Sequence, residues 1–240
     1  GAACLAGAAL LALRVRDEPR RSWAFWAAAL VGALPWLATE LIAPAAVVAV
    51  ALARWLRRRQ RGLAGFIALE VALTSAVVYV TVSDRLFGGL TPHDVARAGA
   101  TGASGVAEHL ERAPRLATAL VGDEGVLLWA PFVLLAFVAL WRLWRSRRER
   151  LAVAVSDQVD VEVTVMFLAL IVASIWLTAV FAAPSLDGGG RAWAHARHLV
   201  AALPALAALS AWGWRFAPRA GSALAAVTLA ISVALVATHI

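Results

Sequence analysis

Apolar residues run almost without interruption through long segments of the chain, as in VALTSAVVYVTV (71–82) and FLALIVASIWLTAVFAA (167–183). Strands of a membrane barrel would instead alternate apolar and polar residues over about 10 positions. A membrane-spanning helix needs about 20 mostly apolar residues, and it satisfies its own backbone hydrogen bonds in lipid. The pattern therefore predicts an all-α, polytopic transmembrane helical bundle of about eight segments: 1–13, 23–38, 41–56, 62–82, 126–144, 163–183, 198–214 and 221–238.

The second and third segments form one apolar stretch that Pro35, Glu40 and Pro44 interrupt. Arg residues flank this stretch on both sides, and positively charged loops stay in the cytoplasm. The stretch should therefore cross the membrane an even number of times, as a short hairpin that turns near 38–41. The same rule makes 83–125 and 184–197 extracytoplasmic, because 16 of the 22 Arg then lie inside. Glycines and a helical spacing of apolar residues in loop 83–125 predict one or two short interfacial helices there.

The composition agrees with a membrane location. The chain is 62% hydrophobic and 15% charged, against about 45–50% and about 25% in soluble domains. One Cys excludes a disulfide scaffold and a Cys-based zinc site, and we expect no metal and no cofactor. The net charge of +7 is explained by the Arg residues of the cytoplasmic loops and by contact with anionic lipids. Membrane lipids are therefore the expected partners, and nucleic acid is not.

The chain begins with Gly1 inside an apolar run and ends in another at Ile240. We therefore expect 1–240 to be a single integral-membrane domain, and a piece of a longer protein truncated at both ends.

Two places in the sequence could carry chemistry. Glu40 and Glu70 interrupt apolar runs. Placing a carboxylate within the membrane costs free energy, so these two residues suggest a polar intramembrane site. The competing interpretations are that Glu40 lies at the water interface and that Glu70 pairs with an Arg or a backbone group. The second place follows three glycines at 188–190, where four basic residues lie close together: Arg191, His195, Arg197 and His198. Guanidinium groups bind phosphate in a bidentate manner, so this cluster suggests a lipid-phosphate site, with snorkelling to phospholipid as the alternative.

Three stretches resemble the C-terminal half of GT-C type membrane glycosyltransferases, particularly poorly characterised actinobacterial members. They are LPWL (34–37), LFGGLTP (86–92) with DEGVLLWAP (123–131), and ARHLVAALP (196–204). The last resembles the family's Gly-Pro-Arg-Tyr-Leu-Leu-Pro pattern, with Ala196 in place of Pro and His198 in place of Tyr.

The resemblance implies transfer of a sugar from a polyprenyl-phosphate carrier on the outer face of the cell membrane. It places the catalytic acid in a first outer loop upstream of Gly1, so the catalytic residues here are unknown. It implies that Arg197 contacts the lipid phosphate. Two other functions stay open on the sequence alone: a transporter or flippase with Glu40 and Glu70 along its pathway, and a membrane protein without catalytic activity.

Overall fold

The computed structural model describes residues 1–18, 20–58, 62–88, 114–121, 125–149, 156–181 and 199–239. Within these ranges all regular structure is helical, as predicted. The α-helices are α1 (Ala2–Asp17), α2 (Arg21–Leu37), α3 (Ile42–Arg58), α4 (Gly62–Phe87), α5 (Arg115–Val121), α6 (Val126–Trp129), α7 (Leu134–Glu149), α8 (Ser156–Phe181), α9 (Leu203–Trp214) and α10 (Pro218–His239). Short 3₁₀ turns precede α3, α7 and α9, at Thr39–Leu41, Pro131–Val133 and Val200–Ala202.

Four stretches of the described chain are long and apolar enough to cross a membrane: Thr39–Arg57, Gly62–Leu86, Val161–Ala179 and Pro218–Ala237. A fifth is added if Leu116–Trp129 and Pro131–Arg145, which meet at an angle of 112°, form one broken span. The described part of the chain is thus all-helical and has four or five segments that could span a membrane, as expected of a membrane protein.

The predicted number of eight spans is not confirmed. Helices α1 and α2 have 16 and 17 residues. At 1.5 Å per residue they are roughly 24–26 Å long, whereas the hydrocarbon core of a bilayer is about 30 Å thick. The stretch Val200–Trp214 is also a shorter apolar helix. Hydropathy finds all of these segments but does not by itself distinguish a full span from a shorter buried helix.

The chain divides into two compact units. The first comprises Gly1–Glu111 with Leu177–Pro184, and the second comprises Arg112–Trp176 with Ser185–Ile240. Each unit is described separately below.

In the first unit the chain reverses between α2 and α3, where the sequence predicts a hairpin. Helix α2 ends because Ala38 adopts an extended backbone conformation, and the 3₁₀ turn follows at once. A Cβ atom on Gly1, at the start of α1, would lie 2.9 Å from Leu41 in this turn. At the other end of α1, the guanidinium of Arg16 lies 5.9 Å from the ring centre of Trp55. Helix α3 therefore runs alongside α1, from the turn back to the end of the unit at which α1 ends and α2 begins.

Helices α2 and α4 run in the same direction in a fixed register. Gly32 faces the side chain of Ser75, and Trp36 meets Tyr79 edge to face with ring centres 5.2 Å apart. Both pairs are 43 residues apart in the chain, so the register is constant over this length. Small residues allow helix backbones to approach closely in membranes. Ala24 and Ala28 precede Gly32 at four-residue spacing and are buried, which explains the close packing here.

Helix α4 is longer than predicted. It continues past residue 82 to Phe87 and ends at Gly88, whose φ of 72° favours glycine. Most of the predicted interfacial helices in loop 83–125 lie outside the described residues. The described part of that loop contains α5, which follows Pro114 directly.

In the second unit, the break between α6 and α7 contacts α10. The N–H of Phe132, in the first turn of the new helix, donates to Thr228 Oγ1 at 3.0 Å. That N–H has no partner within its own helix, so the hydroxyl satisfies it. The ring of Phe132 also meets Trp214 edge to face at 5.6 Å. Helix α9 packs on α7 with Gly213 directly against the backbone of Leu135.

Candidate functional site

One end of the first unit carries basic and aromatic side chains together. The guanidinium groups of Arg14 and Arg20 lie 5.6 and 4.8 Å from the ring centre of Trp23. Contacts of this type are worth about 0.5–1 kcal/mol at exposed sites. Arg20 also pairs with Glu18 at 2.9 Å, in an exposed pair that adds little stability. Amphipathic Arg and Trp side chains are favoured at the level of lipid head groups, so this end fits a membrane surface.

An apolar groove of about 620 Å³ opens beside this basic end, between α2, α3 and α4. Its volume lies within the range of about 300–1,000 Å³ that small-molecule sites occupy. It exists because α4 contributes small side chains at three- and four-residue spacing. The small residues that line it from α4 are Gly62, Gly65, Ala68 and Ala72.

The rest of the lining is also apolar, and it includes Val31 on α2 and Leu56 on α3. Among the described residues that line the groove, Arg57 is the one with a charge, and its side chain is exposed. From Gly62 to Ala72 the groove extends about 15 Å along α4, or about half of a bilayer core. An apolar chain with an anionic head group at Arg57 matches this shape and charge.

The two predicted intramembrane carboxylates do not meet. Glu40 lies half-buried in the 3₁₀ turn, and Glu70 lies exposed on α4. In the register that pairs Gly32 with Ser75, Glu70 is level with Ala27. The turn begins at Thr39, about twelve residues beyond Ala27, so Glu40 and Glu70 are separated by about 18 Å along the helix axis. Neither residue lines the groove.

The predicted phosphate cluster of Arg191, His195, Arg197 and His198 lies outside the described residues. The described chain resumes at Leu199, which is buried, and continues into the 3₁₀ turn before α9. The described ranges hold no group of three His, Cys, Asp or Glu side chains that could bind a metal ion.

Sequence reasoning did not find the groove. The signal was the run of Gly and Ala on one side of α4, which by itself indicates only close helix packing. The space opens because α3 does not fill the surface that those small residues leave, and this depends on how three helices meet.

Comparison with protein-family models, with curated proteins and with solved structures finds no match to this chain. Any functional assignment therefore depends on the chain's own residues and geometry.

Proposed function

We propose that this chain is the lipid-binding membrane part of a GT-C type glycosyltransferase that uses a polyprenyl-phosphate-linked sugar. The groove between α2, α3 and α4 is the observation that carries the proposal. Its lining is apolar over about half the thickness of a bilayer, and Arg57 lies at its rim. The class of lipid, a polyprenyl phosphate, is inferred from the short sequence stretches that resemble the GT-C family.

In this proposal the groove binds the isoprenoid chain of the carrier, and Arg57 contacts its phosphate. Burial of apolar chain surface supplies most of the affinity, since Arg57 is the one polar side chain among the described residues of the lining. A planar guanidinium adds charge-assisted, bidentate contact with phosphate oxygens.

The cluster of Arg191, His195, Arg197 and His198 has a different role in the proposal. It binds the phosphate of the sugar donor on the extracytoplasmic side, where loops 83–125 and 184–197 lie. In the predicted topology Arg57 lies on the cytoplasmic side, so the groove holds a separate molecule of the carrier lipid, away from the extracytoplasmic transfer site.

A transporter pathway along Glu40 and Glu70 receives less support. The two carboxylates lie at different depths and outside the groove. A proton or ion pathway needs polar groups that follow one another through the bundle.

The proposal predicts which lipid the purified chain retains. In native mass spectrometry with equimolar polyprenyl phosphate and phosphatidylglycerol, wild-type protein should keep polyprenyl phosphate preferentially. Gly65→Leu should reduce this retention at least about tenfold, because the new side chain extends into the groove. Arg57→Ala should reduce it roughly three- to tenfold, and Arg57→Lys less. This effect is smaller than the about 1.5–3 kcal/mol of a well-formed hydrogen bond to a charged group, because Arg57 is exposed and solvent screens its contact.

Ala76→Leu is the matched control, because Ala76 lies on the same helix, is exposed and does not line the groove. It should leave retention unchanged. Equal retention of both lipids by the wild-type chain would show an ordinary phospholipid site. Retention that is insensitive to Gly65→Leu would show that the groove does not hold the lipid.

A further inference from the structure

The side of α4 that faces away from α2 is an exposed, mostly apolar helix face. Phe66, Leu73 and Val77 on this side are 62%, 57% and 63% exposed. The opposite side is buried against α2, where Ser75 meets Gly32 and Tyr79 meets Trp36. The exposed side is also distinct from the groove, whose α4 lining includes Ala68 and Ala72.

Three polar residues form a row along the middle of this exposed face. Successive residues of an α-helix are rotated by about 100°, so Glu70, Thr74 and Thr81 fall within about 40° of one another. All three are exposed. No hydrogen bond or ion pair reaches Glu70 from the described part of the chain. The row runs through the candidate span Gly62–Leu86, and Glu70 lies about 6 Å from its middle.

Such a row does not suit contact with lipid tails. Ionisable residues within membrane spans almost always face other helices or water-filled cavities, and they pair with a partner group. Thr side chains also hydrogen-bond across helix interfaces in membranes. Helix α4 also carries polar residues on its other side, where Ser75, Tyr79 and Ser83 lie towards the packed bundle.

We propose that the face of α4 marked by Glu70, Thr74 and Thr81 docks a transmembrane helix that carries a basic side chain at the depth of Glu70. Charge complementarity selects this occupant. A second copy of the same helix would bring two Glu70 carboxylates together, and like charges in a low-dielectric site repel. A guanidinium on the docked helix forms an ion pair with the Glu70 carboxylate. The two Thr hydroxyls can hydrogen-bond to the backbone or side chains of that helix.

The test measures association with a designed membrane peptide, so no natural partner has to be known. The probe is a Leu–Ala transmembrane peptide with one Arg at its centre, and the matched peptide has Leu at that position. Energy transfer between labelled peptide and labelled wild-type chain in phosphatidylcholine vesicles reports association. We expect the Arg peptide to associate roughly tenfold more tightly than the Leu peptide, which corresponds to about 1.4 kcal/mol.

Variants of the chain locate the effect. Glu70→Leu should abolish the preference for the Arg peptide, and Glu70→Gln should keep part of it through hydrogen bonding. Because the side chain is exposed, neither change should affect folding, which circular dichroism checks. Glu18→Gln removes an exposed carboxylate outside the spans and should leave the preference intact.

Three results would overturn the proposal. One is equal association of the two peptides with the wild-type chain, and another is a preference that persists in Glu70→Leu. The third is self-association of the wild-type chain that Glu70→Leu abolishes, because the occupant would then be a second copy. The readout does not involve bound carrier lipid, so it is independent of the proposed function.

Discussion

Replacing Gly213 with alanine is expected to destabilise the second unit by about 1–3 kcal/mol, the usual cost of overpacking a close contact. A Cβ atom at Gly213 would lie 2.8 Å from the carbonyl carbon and 3.3 Å from the Cβ of Leu135, and it would also meet the carbonyl oxygen. These atoms belong to the backbone or are fixed to it, so they cannot rotate away. Helices α7 and α9 would have to separate, although Gly→Ala within a helix otherwise gains about 1 kcal/mol.

Gly65→Ala is the matched control within α4. The nearest atom to a Cβ there is Leu56 Cβ at 3.9 Å, which is an ordinary contact, so this change should be neutral or stabilising. Thermal unfolding in detergent, followed by circular dichroism, should show a lower midpoint for Gly213→Ala alone. Equal midpoints for the two variants would contradict the close approach of α7 and α9.

The fold class was predictable because backbone hydrogen bonding in lipid leaves few alternatives to a helix. The break after α2 was also predictable, since Pro35, Glu40 and Pro44 interrupt one apolar stretch that basic residues flank on both sides. The number of spans was not. Helices α1 and α2 have the composition of spans but lengths of 16 and 17 residues, and their neighbours bury much of their surface.

The candidate site was less accessible to sequence reasoning than the fold. Glu40 and Glu70 were found as isolated carboxylates, but their separation along the bundle follows from the register between α2 and α4. Gly65 forms part of a groove wall because of where α3 packs. Helix α3 is close to Gly65 in the sequence, but the residue pattern of α4 does not indicate how α3 packs against it. The prediction for Arg191, His195, Arg197 and His198 stays a prediction, because these residues lie outside the described ranges.

Arg197→Ala in the full-length protein is expected to lower sugar transfer by about two orders of magnitude. In the proposed function Arg197 binds the donor phosphate, on which charge develops as the sugar leaves. Electrostatic contacts to such charge commonly contribute about 2.7–4 kcal/mol, and each 1.4 kcal/mol corresponds to roughly a tenfold change in rate. Arg197→Lys should recover only part of the activity, because an ammonium group loses the bidentate geometry.

Arg219→Ala serves as the control, since Arg219 is an exposed guanidinium at the start of α10 and belongs to the predicted cytoplasmic side. It should leave transfer unchanged. Normal transfer by a folded Arg197→Ala protein would contradict the phosphate role.

A Cys at Ala103, in a Cys4→Ala background, should react with an impermeant thiol reagent added outside intact cells. That result would place loop 83–125 on the outer side, and labelling only after permeabilisation would contradict the assigned orientation.

In the proposed function the chain binds a polyprenyl-phosphate carrier in the groove beside Arg57. The most direct measurement uses a polyprenyl phosphate with a photoreactive group in its chain, bound to the wild-type protein, irradiated, and mapped by peptide mass spectrometry. Adducts are expected on the groove walls in 49–57 and 62–72, and Gly65→Leu should abolish them. Adducts confined to other helices, or adducts in the groove that Gly65→Leu leaves unchanged, would contradict it.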